Sequence, residues 1–84
     1  MVDVKEAIRS AAQFVEQISS ARPEDLRVEE VDSTEDFWLI TLSFILPASV
    51  IRGAIETSAE RQFKIFSVRK TDGHVESMKI RQVG

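Results

Sequence analysis

The chain contains no cysteine, which excludes a disulfide framework, a thiolate nucleophile and any Cys-ligated metal site. It has one histidine, His74. A metal site would have to be completed by carboxylates, and the acids from Glu24 to Asp36 lack the ligand spacing and sharp-turn glycine of a calcium loop. Glycine is almost as scarce, with three residues at positions 53, 73 and 84, too far apart for a phosphate-cradling loop. No apolar run approaches the roughly 20 residues of a membrane span; the longest, "FWLITLSFIL", is interrupted by Thr41 and Ser43. The N-terminal stretch carries Asp3 and Glu6 where a secretory signal would place an uninterrupted apolar core, so a cytoplasmic protein is expected. Repeats, low-complexity tracts and internal linkers are also missing.

What remains is the composition of one globular domain: 84 residues, 43% hydrophobic and 30% charged. The net charge of −3 conceals an asymmetry. Residues 1–46 hold ten acids against four bases, and residues 47–84 hold seven bases against four acids. Seven of the acids fall between Glu24 and Asp36, beside one arginine. Such a distribution can steer an oppositely charged partner, although charge runs are commonly just solvated faces.

Hydrophobic spacing sets the elements. Val4, Ala7, Ile8, Ala11, Phe14, Val15 and Ile18 recur at helical intervals, which predicts a helix over about residues 4–20. Asp3 with Glu6 resembles a capping box, and Arg22-Pro23 ends the helix. From Leu26 the period becomes two, with "LRVEEVD" a short strand and "STED" a turn. "DFWLITLSFIL" is the strongest strand, its core face formed by Trp38, Ile40, Leu42, Phe44 and Leu46, and Pro47 ends it. Residues 47–60 are an insert. Val50, Ile51, Ala54 and Ile55 recur at helical spacing there, but Gly53 disfavours a helix, leaving a short helix or an ordered loop. Two further strands flank Asp72-Gly73, a strong signal for a two-residue type I′ hairpin. That loop pairs Thr71 with His74, Arg69 with Glu76, Ser67 with Met78 and Ile65 with Ile80. The expected fold is α+β: one helix across a four-stranded antiparallel meander, in the order α-β-β-insert-β-β.

His74 is weighed first as a reactive group, with Asp72 or Glu76 to orient it and Ser77 as a nucleophile. Strand alternation sends His74 and Ser77 to opposite faces, and a hairpin tip is expected to offer no pocket. No catalytic residue, cofactor or metal is therefore assigned. The stretch "RQFKIFSVRK" interleaves Arg61, Lys64, Arg69 and Lys70 with Phe63 and Phe66, which makes a nucleic-acid-binding sheet the alternative reading. Against it stand the missing glycines of such motifs and a sequence pI of about 5.1.

The predicted hairpin register puts Phe63, Ile65, Met78 and Ile80 on the core face. It puts Phe66, Val68 and Val75 outside, among Lys64, Lys70, Lys79 and Arg81. With Phe37, Leu39 and Ile45 these would form an apolar outer face that one helix cannot cover, so either residues 48–60 or a partner must do so, a second copy included. The residues expected to make protein contacts are Phe37, Leu39, Phe66, Val68, Val75, Lys64 and Lys79.

The helix "VKEAIRSAAQFV", the strand "WLITLSF" and the hairpin "FKIFSVRKTDGHVESMKIR" together resemble the PepSY-like small α+β domains of the stand-alone bacterial or archaeal kind. Val68, Asp72, Gly73 and Val75 occupy the hairpin motif, with the acid and glycine adjacent rather than separated. The resemblance implies a regulatory or inhibitory binding module, a role often associated with peptidases, and carries over no catalytic residues. The expectation is thus a non-enzymatic protein-binding module acting through a sheet face or edge.

Overall fold

The computed structural model describes residues 1–18, 22–45 and 61–80, together with the backbone of 50–51 and 54–55. Helix α1, Val4–Ile18, starts at Asp3, whose Oδ1 accepts the Glu6 amide at 2.9 Å while its carbonyl accepts the Ala7 amide. The carboxylate thus satisfies one of the amides left open at a helix start. Ala7, Ala11 and Val15 form the fully buried stripe of α1, flanked by Val4, Ile8 and Phe14. Two alanines at the centre of that stripe let the helix backbone lie close to the sheet.

Strands β1 (Glu24–Ser33), β2 (Phe37–Ile45), β5 (Arg61–Arg69) and β6 (Val75–Ile80) form an antiparallel sheet in the order β1-β2-β5-β6. The expected α+β meander is the observed fold. Between β2 and β5, β3 (Val50–Ile51) pairs with β4 (Ala54–Ile55) as a separate antiparallel ribbon. At these four positions extended backbone takes the place of the short helix, one of the two alternatives for the insert, and β-branched Val50, Ile51 and Ile55 suit an extended backbone better than a helical one. Whether the rest of 48–60 covers the sheet lies outside the described residues, as does the Leu46 end of the expected core face.

The β2–β5 register determines which side chains meet the helix. Trp38 pairs with Val68 and Ile40 with Phe66, and directly opposed residues share a face. Ile40, Leu42, Phe44, Phe66 and Val68 are therefore buried under α1, and Phe14 meets Phe66 edge-on with ring centroids 6.1 Å apart. The expectation of Phe66, Val68 and Val75 on the outer face is overturned: Phe66 and Val68 are 0% exposed in the core, and Val75, paired with Val68, packs against it. Lys64 lies on the same helix-side face, opposite Leu42.

The predicted type I′ turn fails for a local reason. Arg69 donates its amide to the His74 carbonyl and accepts the Gly73 amide, both at 2.8 Å. These bonds close a four-residue loop over 70–73, with Gly73 at φ 77°. Asp72 stays at negative φ and instead accepts the His74 amide on Oδ1 at 2.9 Å, an Asx-type contact. A bulge then makes Glu76 an extra residue between the Val68–Val75 and Ser67–Ser77 pairs. Beyond it Phe66 faces Met78 and Lys64 faces Ile80. Loop length and bulge together shift the pairing by one residue, which exchanges the faces of β5 relative to β6. The cross-strand pair expected between Arg69 and Glu76 nevertheless forms, at 3.2 Å.

Candidate interaction face of the sheet

The sheet face turned away from α1 carries Phe37, Leu39, Thr41, Ser43 and Ile45 from β2, and Arg61, Phe63, Ile65, Ser67 and Arg69 from β5. Ser77 and Lys79 extend it on β6, and Arg27, Glu30 and Asp32 on β1. Phe37, Leu39, Ile45, Phe63 and Ile65 are all half-buried and make an apolar band across the two central strands. Of the seven predicted contact residues, this face holds Phe37, Leu39 and Lys79. Lys64, Phe66, Val68 and Val75 are on the helix side, and the apolar positions that β5 contributes outside are Phe63 and Ile65.

One end of the band is closed by polar groups that the sequence reading missed. Ser43, fully buried, donates its hydroxyl to Glu29 Oε2 at 2.5 Å and accepts from Arg61 Nη1 at 2.7 Å. Arg61 also reaches the Asp25 carbonyl at 3.1 Å and pairs with the Asp25 carboxylate, which Arg27 holds from the other side at 2.9 Å. Asp25 is at φ 49°, beside a register shift in β1. The distortion turns both its carbonyl and its carboxylate toward Arg61. Both capacities of the buried hydroxyl are thereby used, as a buried polar atom requires. Alternation could have placed Ser43 and Arg61 on one face, but a β-bulge leaves no comparable mark in a strand sequence.

The charge asymmetry of the chain becomes lateral. β1, exposed along its length, forms an acidic edge with Glu29, Glu30 and Asp32; β6 at the opposite edge carries Lys79. One row across the outer face reads Glu30, Thr41, Ile65, Lys79, from acid through apolar to base. On the helix side β1 is left bare, with Val28 at 43% and Val31 at 41% exposure, because α1 lies over β2, β5 and β6.

His74 is not at a featureless tip. A shallow, open cleft of about 290 Å³ lies between the hairpin loop and α1, lined by Ser10, Gln13, Phe14, Gln17, Gly73, His74 and Val75, with His74 exposed to solvent. Ser77, the hydroxyl considered with His74, is on the outer face opposite Ser67. The loop is tied to the N-terminus, since the Lys70 carbonyl accepts the Val2 amide at 2.8 Å and the Val2 carbonyl accepts Trp38 Nε1 at 3.1 Å. Asp72 titrates below its ordinary value, chiefly because the His74 amide donates to it and further because the Arg69 guanidinium binds it at 2.7 Å. Among the described residues no three His, Asp or Glu side chains converge on a metal position, and no helix is long and apolar enough to cross a membrane.

Compared with family models, curated proteins and solved structures, the chain matches none.

Proposed function

We propose that the protein is a non-enzymatic, cytoplasmic binding module that engages a protein partner through the outer face of its sheet. The observation that carries this reading is the apolar band of Phe37, Leu39, Ile45, Phe63 and Ile65, half-buried on a face against which the described residues place no helix. A contiguous band of that kind costs free energy in water, and on small proteins it marks interaction surfaces. The PepSY-like layout supports a regulatory or inhibitory role for the module.

The nucleic-acid alternative is weakened by how three of the four cations of "RQFKIFSVRK" are engaged. Arg61 is bound by Asp25, Arg69 by Asp72 and Glu76, and Lys70 lies 4.7 Å from the Trp38 ring centroid with its ammonium donating to the Thr34 carbonyl. Phosphate binding draws on cations that can neutralise it, and these are already paired within the chain.

A photoreactive side chain placed at Leu39 tests the reading directly. In native cells it is expected to form covalent protein adducts, with the same group at exposed Glu16 on α1 as the control. Adducts at position 16 in equal yield, or none at position 39, would end the outer-face reading.

A further inference from the structure

We infer that the partner of the outer face is a second copy of this chain, packed sheet against sheet about a two-fold axis parallel to the strands. This rests on the outer face being the binding surface. Two observations select the occupant and the axis.

The first is size. β2 and β5, the two central strands, set a large side chain beside a small one at the three middle rows of the outer face: Leu39 beside Ser67, Thr41 beside Ile65, and Ser43 beside Phe63. A two-fold axis running along the strands midway between β2 and β5 lays β2 of one copy over β5 of the other and keeps every row in place. Leu39 then lands on Ser67 of the second copy, and Ile65 on Thr41, so large side chains fill low points in both directions. Turning the axis across the strands instead puts Ile65 over Ile65 and Thr41 over Thr41, which leaves a clash beside a void.

The second is charge. With the axis along the strands, β1 lies over β6 of the second copy. The row Glu30, Thr41, Ile65, Lys79 becomes its own complement, because acid meets base at both rims. The crosswise axis sets the acidic β1 edge over itself. Aligned sheets are rotated by about 30° relative to one another. At the rim strands, about 7 Å from the axis given a strand spacing of about 4.8 Å, that rotation moves a contact by about 4 Å. Lys79 therefore reaches either Glu30 or Asp32 of the other copy.

The area is adequate. Four strands about 4.8 Å apart, over the nine residues of β2 at about 3.3 Å each, give a face of roughly 19 by 30 Å. That extent, roughly 570 Å², sits at the lower end of standard interfaces, at about 600 Å² per partner.

Charge-segregated variants of the full chain test the arrangement, read by light scattering across a concentration series. Lys79→Glu makes both rims acidic, and the double variant Glu30→Lys with Asp32→Lys makes both basic. The wild type is expected to show a two-chain mass. Each variant should self-associate about tenfold more weakly, and an equimolar mixture should recover a two-chain species holding one of each. A wild type that stays a single chain throughout overturns the dimer, and so do variants that self-associate undiminished. Ile65→Glu then separates the two failures. If the wild type is a single chain and Ile65→Glu unfolds at the same urea midpoint, the face is open and receives a different protein, so only the dimer is lost. If Ile65→Glu lowers the midpoint of a single-chain protein, the chain covers its own face and the proposed function falls as well.

Discussion

Phe66 and Phe63 are three residues apart on one strand, and the structure assigns them opposite environments. Phe66 is 0% exposed beneath α1 with Phe14 against its edge, while Phe63 is half-buried on the outer face beside Ser43. Truncating a buried phenylalanine to alanine costs about 3–5 kcal/mol, from lost transfer free energy and the cavity left behind. A chain of 84 residues has a total stability of about 4–13 kcal/mol at about 0.05–0.15 kcal/mol per residue. Phe66→Ala therefore removes about a quarter or more of it, a fall in melting temperature of about 12–40 °C at about 4–8 °C per kcal/mol for a domain of this size. Phe63→Ala, at a half-buried position outside the core cluster, should cost less, about 1–2 kcal/mol. Urea unfolding measures both, with unchanged slopes required so that the midpoints report stability. A double-mutant cycle with Phe14→Leu should add a coupling of about 0.5–1.5 kcal/mol for Phe66 and none for Phe63. The type I′ register would bury Phe63 and expose Phe66. A larger loss for Phe63→Ala than for Phe66→Ala would refute the β2–β5 register and every face assignment built on it.

Gly73→Ala places a Cβ 3.3 Å from Val2 Cγ1 on a backbone at φ 77°, so it should destabilise the chain by about 1–2 kcal/mol, read as a lower urea midpoint. Asp72 is held below its ordinary pKa by the His74 amide and by Arg69, so its carboxylate contributes stability that is present above the unfolded value near 3.8 and lost as pH falls through the lower folded value. Asp72→Asn should therefore lower the urea midpoint at pH 7, and the gap from wild type should close on acidification below pH 3.8; a gap independent of pH would assign the loss to loop geometry rather than to the charge.

The α1 stripe and the even face of β2 were legible because each depends on one periodicity read within a single element. Ala7, Ala11 and Val15 are buried at helical spacing, and Ile40, Leu42 and Phe44 at strand spacing. The outer assignments on β2, Phe37 and Leu39, followed from the same alternation. β5 was different, because "RQFKIFSVRK" is apolar on both faces, with Phe63 and Ile65 on one and Phe66 and Val68 on the other. Its burial is then decided by which neighbour it pairs with, a long-range choice. Asp-Gly at the turn favours a two-residue loop, which by itself fixes one register. Asp72 instead uses its carboxylate to cap the His74 amide and to hold Arg69, and Glu76 is accommodated in a bulge where it still reaches Arg69. Side-chain bonds of this kind outweigh the intrinsic turn preference, and the longer loop and the bulge together leave the pairing one residue out of the expected register.

The same comparison explains why the sheet keeps an apolar outer face although four of the seven expected contact residues lie on the helix side. Exchanging the faces of β5 trades Phe66 and Val68 for Phe63 and Ile65, so an apolar strand contributes two large side chains outside in either register. The charge pattern is equally robust, since the acids of 24–36 and the bases after 60 sit on strands that the topology sends to opposite sides of the sheet. What the true register adds is complementarity: only with Ile65 beside Thr41 and Leu39 beside Ser67 does the face become its own partner under a two-fold rotation. A sheet that merely exposed apolar residues would invite indiscriminate association at its edges. Here the β1 edge is distorted by two register shifts and lined with acids, which discourages strand addition there and leaves the broad face as the surface on which a specific contact can form.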